Sequence, residues 1–421
     1  MDRQSGEQEK QKLSAVSSSA PASIPSPQMQ PTVVAIVAVV FAALLARIGL
    51  TEGWQTGALY VVGLLLGLVL YYASFGFTAA FRVMISDRRS AGIRAQMLML
   101  ALACALFFPV LAAGSAFGVP VGGFVFPIGL PVLIGSFMFG IGMQLGGGCG
   151  SGTLFTTGGG NTRMLLTLIF FIAGSMAGFA HLPWWESLPH FAPVSIVDQL
   201  GWPVALALSL AIFGGIWLAA RSLEIGRHGR LALITTWRDN ERQRPFLARH
   251  WPLVAGAVGL AVLNFATLCL AGRPWGITAA FPLWGASALQ GLGVGVADWP
   301  SWSDPGNRAW LAGGVLADIT SVMDIGLMLG AALAAGLSGH FRPGWRVPLR
   351  HVAASVIGGL LMGYGARLAY GCNIGAYFSG IASGSLHGWV WIVFALAGNW
   401  CGTWLRPWFR MEVERTAPSS C

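Results

Sequence analysis

Two cysteines lie in glycine-rich stretches that match each other in the two halves of a 421-residue chain. Cys149 lies within QLGGGCGSGT (144–153), and Cys372 lies within RLAYGCNIGA (367–376). A thiol is a soft, polarizable and weakly hydrogen-bonding group, so it suits a sulfur-bearing anion better than a hard oxyanion. The two motifs therefore predict paired thiols that contact a small ligand.

The match continues beyond the cysteines. Gly135–Gly152 aligns with Gly358–Gly375 at a constant offset of 223 residues. Two shorter pairs of segments also recur: AGSMAG (173–178) with AGNWCG (397–402), and GFTAAF (76–81) with GITAAF (276–281). The chain is therefore an internal duplication, and each copy carries a cysteine in a glycine-rich break of an apolar run.

The composition is that of a membrane protein. Hydrophobic residues make up 55% of the chain and charged residues only 10%, whereas an ordinary soluble chain has about 25% charged residues. Apolar runs recur that are long enough to cross a hydrocarbon core of about 30 Å. We therefore predict an all-α polytopic protein in the lipid bilayer. The net charge of +9 does not indicate a nucleic-acid partner, because the basic residues cluster in a few loops, as the positive-inside rule expects.

The apolar runs predict ten crossings, five in each half, with the fourth and ninth broken at Cys149 and Cys372. The crossings are predicted at 33–50, 57–74, 95–114, 130–162, 164–181, 203–220, 252–271, 310–337, 352–385 and 387–405. Two further segments, 75–82 and 275–296, carry the FTAAF-type repeat and are predicted to be short or re-entrant helices.

Five units follow along the chain. They are a disordered cytoplasmic N-terminus (1–31), a first membrane repeat (32–220), a basic cytoplasmic linker (221–250), a second membrane repeat (251–405) and a cytoplasmic tail (406–421). The N-terminus is polar and rich in Ser, Pro and Gln, so it cannot bury enough apolar surface to fold.

Arginine counts predict that the two repeats have opposite orientations in the membrane. Each basic loop of one half matches a poorly basic loop of the other: 82–94 with 297–309, 340–351 with 115–129, and the tail after 405 with 182–201. An odd number of crossings per half produces such an inversion, and the arginine-rich linker then lies in the cytoplasm with both termini. Inverted repeats with paired broken helices are typical of transporters, whose substrate site lies near the bilayer midplane.

The breaks are the predicted substrate site. A helix that restarts after a break offers free N–H groups and a positive dipole end, which suit an anion. The candidate substrate-binding residues here are Cys149, Cys372, Gly148, Gly150, Ser151, Gly371 and Asn373. The alternative is that the glycines only allow close helix packing.

Few charged side chains lie within the predicted crossings. Arg367 lies five residues before Cys372, and its counterpart in the first half is Gln144. Arg367 could attract an anion, or it could form a structural pair with an aspartate or extend to the interface. Asp318 and Asp324 fall in the predicted eighth crossing and are further candidates.

Other chemistries are less well supported by the sequence. No His or carboxylate lies close to either motif, so we expect no metal and no cofactor. A disulfide between the two motif cysteines would block a path, and no basic residue is placed nearby in sequence to activate a thiolate. We expect Cys104, Cys269 and Cys401 to be small buried hydrophobic residues.

Together, GGGCGSGT, YGCNIGAYFSGIASG and SFGFTAAFR resemble the YeeE/YedE membrane proteins over about residues 55–405. This resemblance implies uptake of thiosulfate, or of a related small sulfur-containing anion, across the inner membrane of a bacterium. It implies a narrow path in which Cys149 and Cys372 hydrogen-bond the sulfur atoms, and a TusA-like sulfur-carrier partner at the cytoplasmic face.

The chain departs from the family at one place. Members often carry a further cysteine just before the FTAAF-type segment, where this chain has Gly76 and Gly276. This departure leaves the full relay of thiols and the exact substrate open. The alternatives are a membrane enzyme that cleaves a sulfur donor at a cysteine, and a transporter of another ion or of a selenium compound.

Overall fold

The computed structural model describes residues 28–236 and 246–414, and most of these residues are helical. Three predicted regions fall partly outside them: residues 1–27 of the N-terminus, 237–245 of the linker with Arg238, Arg242 and Arg244, and 415–421 of the tail with Arg415 and Cys421.

The described part of the first half contains nine α-helices. They are α1 (Pro31–Thr51), α2 (Trp54–Ala73), α3 (Phe77–Asp87), α4 (Ala91–Ala113), α5 (Leu130–Gly146), α6 (Gly150–Gly158), α7 (Thr162–Glu186), α8 (Ile196–Leu200) and α9 (Trp202–His228). Two short antiparallel pairs of strands lie in its loops. They are β1 (Ser115–Ala116) with β2 (Val119–Pro120), and β3 (Ile128–Gly129) with β4 (His190–Phe191).

In the second half, a π-helix and a short α-helix follow the break at Cys372, in the place that α6 takes after Cys149 in the first half. The helices of the second half are α10 (Leu253–Ala271), α11 (Phe281–Gly291), α12 (Pro305–Gly313), α13 (Ile319–Ser338), α14 (Leu349–Leu368), the π-helix Asn373–Ser379, α15 (Gly380–Ala382) and α16 (Leu386–Leu405). Short 3₁₀ turns occupy Phe246–Ala248, Pro300–Trp302 and Arg406–Phe409.

Within 28–236 and 246–414, eight helices or continuous helix pairs are long and apolar enough to cross a membrane. A ninth candidate is the pair 349–368 and 373–382, which is bent by 43° at the second break. The protein is therefore a multi-pass membrane protein, as the composition predicted. The tenth predicted crossing corresponds to α16, a 20-residue helix that is less apolar because it includes His387, Asn399 and several tryptophans; its passage through the membrane stays a prediction.

The predicted eighth crossing, 310–337, is wrong at its start. The chain forms α12 up to Gly313, turns at Gly314 with φ +77°, and begins α13 only at Ile319. Asp318 is the N-cap of α13, and its carboxylate accepts a hydrogen bond from the Ser321 N–H at 2.7 Å. The helix begins here because glycine accommodates the positive φ and aspartate satisfies a free amide of the first turn.

The sequence duplication recurs in the packing of α5, α14, α7 and α16. A Cβ atom at Gly140 would collide with the carbonyl oxygen of Ala395, and one at its counterpart Gly363 would collide with that of Phe171. Ala395 and Phe171 are themselves counterparts in the repeat. The halves therefore pack through equivalent contacts, and their opposite orientation in the membrane stays a prediction.

Small residues let these helices approach closely. Gly63 and Gly67 of α2 face backbone atoms of α13 so closely that a Cβ at either would collide with a carbonyl oxygen, and Gly326 and Gly330 of α13 do the same toward α2. Helix association in lipid depends on such packing, because lipid chains are as apolar as the side chains.

Candidate functional site

Both motif cysteines cap a helix that restarts after a break. After α5 ends, Gly147 has φ +91°, and Cys149 is the N-cap of α6 with its thiol accepting from the Gly152 N–H at 3.4 Å. After α14 ends, Gly371 has φ +150°, and Cys372 is the N-cap of the π-helix with its thiol accepting from the Ile374 N–H at 3.4 Å. The predicted breaks at the two cysteines are confirmed, and each thiol takes the place where a helix normally has a hydroxyl or carboxylate cap.

The two breaks meet each other. A Cβ atom at Gly150 would lie only 2.8 Å from the Cys372 Sγ atom and 3.5 Å from Thr278. The thiol of the second break therefore packs against the start of the helix that Cys149 caps. Gly150 must lack a side chain for this approach to occur.

Two threonines of the FTAAF-type repeat complete this cluster. Thr278 packs beside Gly150 and Cys372, and Thr78, from the other copy of the repeat, lies beside the Cys149 thiol. The Thr78 hydroxyl is buried and has no hydrogen-bond partner among the described residues. Neither threonine is among the site residues that the sequence predicts. The signal that could have found them is the repeat itself, because it places one threonine in each half.

Other predicted residues lie around the thiols. The Ser151 hydroxyl lies 3.4 Å from the Cys149 Sγ atom. The side-chain amide of Asn373 is fully buried, and neither its oxygen nor its nitrogen has a hydrogen-bond partner among the described residues. Buried polar groups are usually paired, so an unpaired amide beside the thiols is available to a ligand.

The predicted glycines Gly148 and Gly371 occupy equivalent positions. A Cβ atom at Gly148 would lie 3.1 Å from the Thr153 nitrogen, and one at Gly371 would lie 2.8 Å from the Ala376 nitrogen. A side chain at either position would press on the first turn of the restarting helix. The glycines thus have a role beyond helix–helix packing, since they let the chain fold back in front of that turn.

The two breaks differ in the side chains that contact the residues just before each cysteine. Behind the first break, the last carbonyl groups of α5 accept hydrogen bonds from cations: Gln144 O from Arg406 at 2.7 Å, and Leu145 O from Arg163 at 2.9 Å. Thr167 donates to the next carbonyl, that of Gly146, at 3.2 Å. Positive groups at this position satisfy free carbonyls and offset the negative end of the helix dipole.

Behind the second break the covering is aromatic. The Phe126 ring stacks on Tyr370 with centroids 4.9 Å apart and meets the His387 ring edge-on at 5.1 Å. The segment that carries Phe126 is held by a hydrogen bond of 2.9 Å from the Phe124 N–H to the Ser383 hydroxyl. Both motif thiols are buried, at 1% and 0% exposure for Cys149 and Cys372, so neither thiol is accessible from the surface of this structure.

Arg367 and its counterpart Gln144 have different surroundings. The Gln144 side chain donates to Asn399 at 2.7 Å and to the Thr78 carbonyl at 3.1 Å. Arg367 packs its aliphatic carbons against Gly178 of α7, and its buried Nε atom has no hydrogen-bond partner in the part of the chain that the structure describes. Among the described residues, no ion pair joins it to an aspartate.

The two predicted aspartates have separate roles. Asp318 is a helix cap rather than a group within the crossing, because α13 begins after it. Asp324 is fully buried in α13, and neither of its carboxylate oxygens has a hydrogen-bond partner among the described residues.

The remaining cysteines only partly match the prediction. Cys104 is buried, as expected, whereas Cys269 and Cys401 are half-buried. All five described cysteines are free thiols, so no disulfide joins Cys149 to Cys372. Within 28–236 and 246–414, no group of three or more His, Cys, Asp or Glu side chains could hold a metal ion.

Comparison with known proteins finds relatives over most of the chain. A family described as sulphur transport matches residues 72–401, which include both cysteine motifs. The thiosulfate transporter TsuA of Spirochaeta thermophila is 28% identical over 358 residues, 82% of this chain and 97% of that protein. TsuA of Escherichia coli is 26% identical over 354 residues, 82% and 93% of the two chains. The probable transporter YedE of Escherichia coli is 31% identical over 173 residues, 40% and 42% of the two chains.

Proposed function

Because the chain belongs to the sulphur transport family, we propose that it is a permease that takes up thiosulfate or a similar sulfur-containing anion. The family is the one that the cysteine motifs and the FTAAF-type repeat predicted, since YedE is among the relatives. Two relatives matched over almost their whole length are named thiosulfate transporters. Their names support transport over an enzymatic reaction, and thiosulfate over a selenium compound or another ion.

The observation that carries this proposal is the meeting of the two thiol-capped breaks, with the Cys372 thiol against Gly150, the residue that follows Cys149. Thiosulfate has one terminal sulfur and three oxygens. In the proposal its sulfur contacts the two thiols, and its oxygens face the hydroxyl of Ser151, the unpaired amide of Asn373 and the positive starts of the two helices. Sulfate lacks the soft sulfur atom, so the thiols give selectivity between two anions of similar shape.

The other predicted residues support this arrangement. Gly150 lets the second thiol reach the start of α6, while Gly148 and Gly371 keep both breaks compact. Arg367, with its unpaired Nε atom on the helix that leads to Cys372, attracts the anion toward the site.

The proposal also includes the membrane, the orientation of the chain and a protein partner. The permease lies in the inner membrane of a bacterium with both termini in the cytoplasm, where a TusA-like sulfur-carrier protein receives the sulfur compound. The mirrored arginine counts of the loops support the orientation. The family resemblance of the motifs supports the carrier, and co-purification of the carrier with this chain tests it.

Uptake into liposomes tests the function. Purified protein in sealed liposomes should accumulate radiolabelled thiosulfate, and the recovered lumenal compound should be chemically unchanged. Unlabelled thiosulfate should compete strongly, whereas sulfate and selenite should compete weakly. Conversion of thiosulfate without accumulation would favour the enzyme, and stronger competition by selenite would change the substrate.

A further inference from the structure

A second cluster of polar and basic side chains lies near the first break, outside the thiol cluster. A cavity of about 280 Å³ separates the start of α7 from the loop that precedes α14. We call it the basic pocket, and its polar lining consists of Asn161, Thr162, Arg163, Arg342, Arg346 and His351. Its lining includes no acidic residue. Since a water molecule occupies about 30 Å³ in the liquid, a small tetrahedral anion and several waters fit inside.

Arg163 connects the basic pocket to the first break. Its guanidinium donates to the Leu145 carbonyl at 2.9 Å and to the Ser355 hydroxyl at 3.2 Å, and it lies 3.6 Å from where a Gly147 side chain would begin. The wall opposite Arg163 is fixed as well, because the Thr162 hydroxyl donates to the Gly344 carbonyl. The pocket is thus attached to the backbone that leads to Cys149.

The positive charge of the pocket is not neutralised within the described chain. The side chains of Arg342 and Arg346 are exposed and make no hydrogen bond or ion pair among the described residues. The tail borders the pocket, since the Arg410 carbonyl lies 3.5 Å from His351. Its Glu414 is already held by Arg82 through two hydrogen bonds of 2.6 and 2.7 Å.

Like charges gathered in one concave site raise the local concentration of an oppositely charged ligand. The start of α7, a 25-residue helix capped by Asn161, adds the positive end of a helix dipole to the same wall. Guanidinium groups also match the geometry of tetrahedral oxyanions better than ammonium groups do.

We infer that the basic pocket is a second anion site, which binds small tetrahedral oxyanions by charge and does not select for sulfur. This inference rests on the proposed function in one respect: the transported anion occupies the pocket on the arginine side of the first break, in series with the thiols. A phosphate group of a lipid offers the same chemistry and is the other source of such a ligand.

The test measures sulfate binding by calorimetry, with the full chain in nanodiscs of zwitterionic lipid. Sulfate is the probe because the thiol cluster has no preference for it. We expect Arg342→Gln and Arg346→Gln each to weaken sulfate binding by about tenfold. Arg350→Gln is the matched control, since it removes one exposed charge from the first turn of α14, close in sequence to the loop but outside the pocket. It should change the affinity by less than about twofold. Equal affinities for all three variants would overturn the inference.

Two further measurements separate the ligand sources and the two hypotheses. The first measurement repeats the titration in nanodiscs that contain phosphatidylglycerol. If the sulfate affinity falls for the wild type but not for the Arg342→Gln/Arg346→Gln double variant, a lipid phosphate is an occupant of the pocket.

The second measurement uses the thiol variants. Cys149→Ala and Cys372→Ala should bind sulfate like the wild type while losing uptake, and loss of sulfate binding in these variants would contradict a separate site. The wild type could also bind sulfate through Arg342 and Arg346 and yet take up no thiosulfate. That result would refute the proposed function but leave the second anion site standing.

Discussion

The first and second breaks share one construction and differ in what stands behind them. In both, a cysteine caps the restarting helix, and a glycine just before it lies against the first turn. Behind the first break stand Arg163 and Arg406, whereas behind the second stand the rings of Phe126, Tyr370 and His387.

A duplicated transporter has two requirements, and this difference separates them: the binding of one ligand by both halves, and the contact of each half with its own surroundings. In the proposed function, the two thiols and the starts of the helices that they cap meet the ligand, and these features are retained in both halves. The two ends of the proposed path face different surroundings, so their side chains have diverged. A basic end attracts and holds an anion, and an aromatic end covers the site against water.

Loss of either thiol should have the largest effect, and the two breaks should respond alike. We expect Cys149→Ala and Cys372→Ala each to reduce thiosulfate uptake by about a hundredfold, since the soft contact to the ligand is lost from a site built around it. Serine at either position should do the same or slightly better, because it restores only a hydroxyl donor. Uptake of radiolabelled thiosulfate by liposomes with equal protein content is the measurement.

Cys104→Ala and Cys401→Ala are the controls for this experiment and should be nearly silent. Wild-type uptake by both motif variants would show that the thiols are not on the path and that the glycine breaks serve only packing.

The contact between the two breaks should be the next most sensitive feature. Gly150→Ala places a methyl group 2.8 Å from the Cys372 Sγ atom, so the thiol or the start of α6 must shift. A displacement of this kind should lower uptake by about tenfold or more.

Gly375→Ala is the matched control, because the nearest atom to its new methyl group is the Tyr370 carbonyl oxygen at 4.0 Å. Equal uptake by the Gly150 and Gly375 variants would mean that the breaks do not need to touch during transport.

A third test uses Arg367 and Gln144, which occupy equivalent positions in the two halves but differ in charge. Arg367→Gln, which installs the residue of the other half, should raise the KM for thiosulfate roughly tenfold, because the attraction of the anion is lost. The difference from the wild type should shrink as salt screens the charge. Insertion is measured by membrane content, and disappearance of the variant from the membrane would instead assign Arg367 a structural role.

The smallest expected effect concerns topology, where the labelled variants should transport normally. A cysteine at Ser187, which is exposed after α7, should react with an impermeant thiol reagent from outside the cell. A cysteine at Ser222, near the linker end of α9, should react only after the membrane is opened. The reverse pattern would refute the opposite orientation of the two halves.

Local sequence was enough to predict the breaks, the repeat and the membrane class. Three consecutive glycines before Cys149 cannot hold a stable helix, because each costs about 1 kcal/mol relative to alanine in a helix interior. A repeat at constant offset also identifies equivalent positions without any knowledge of the fold. For the same reason the N-cap positions of Cys149 and Cys372 were within reach of sequence reasoning.

The partners of these segments required the folded molecule. Thr78 and Thr278 join the thiols, and Arg406 reaches the end of α5 from 262 residues away. Asp318 proved to be a cap because the chain turns at Gly314, although the apolar run continues across that turn. Such contacts depend on the angles and heights at which helices cross, and a periodic apolar pattern carries no information about which distant residue stands opposite.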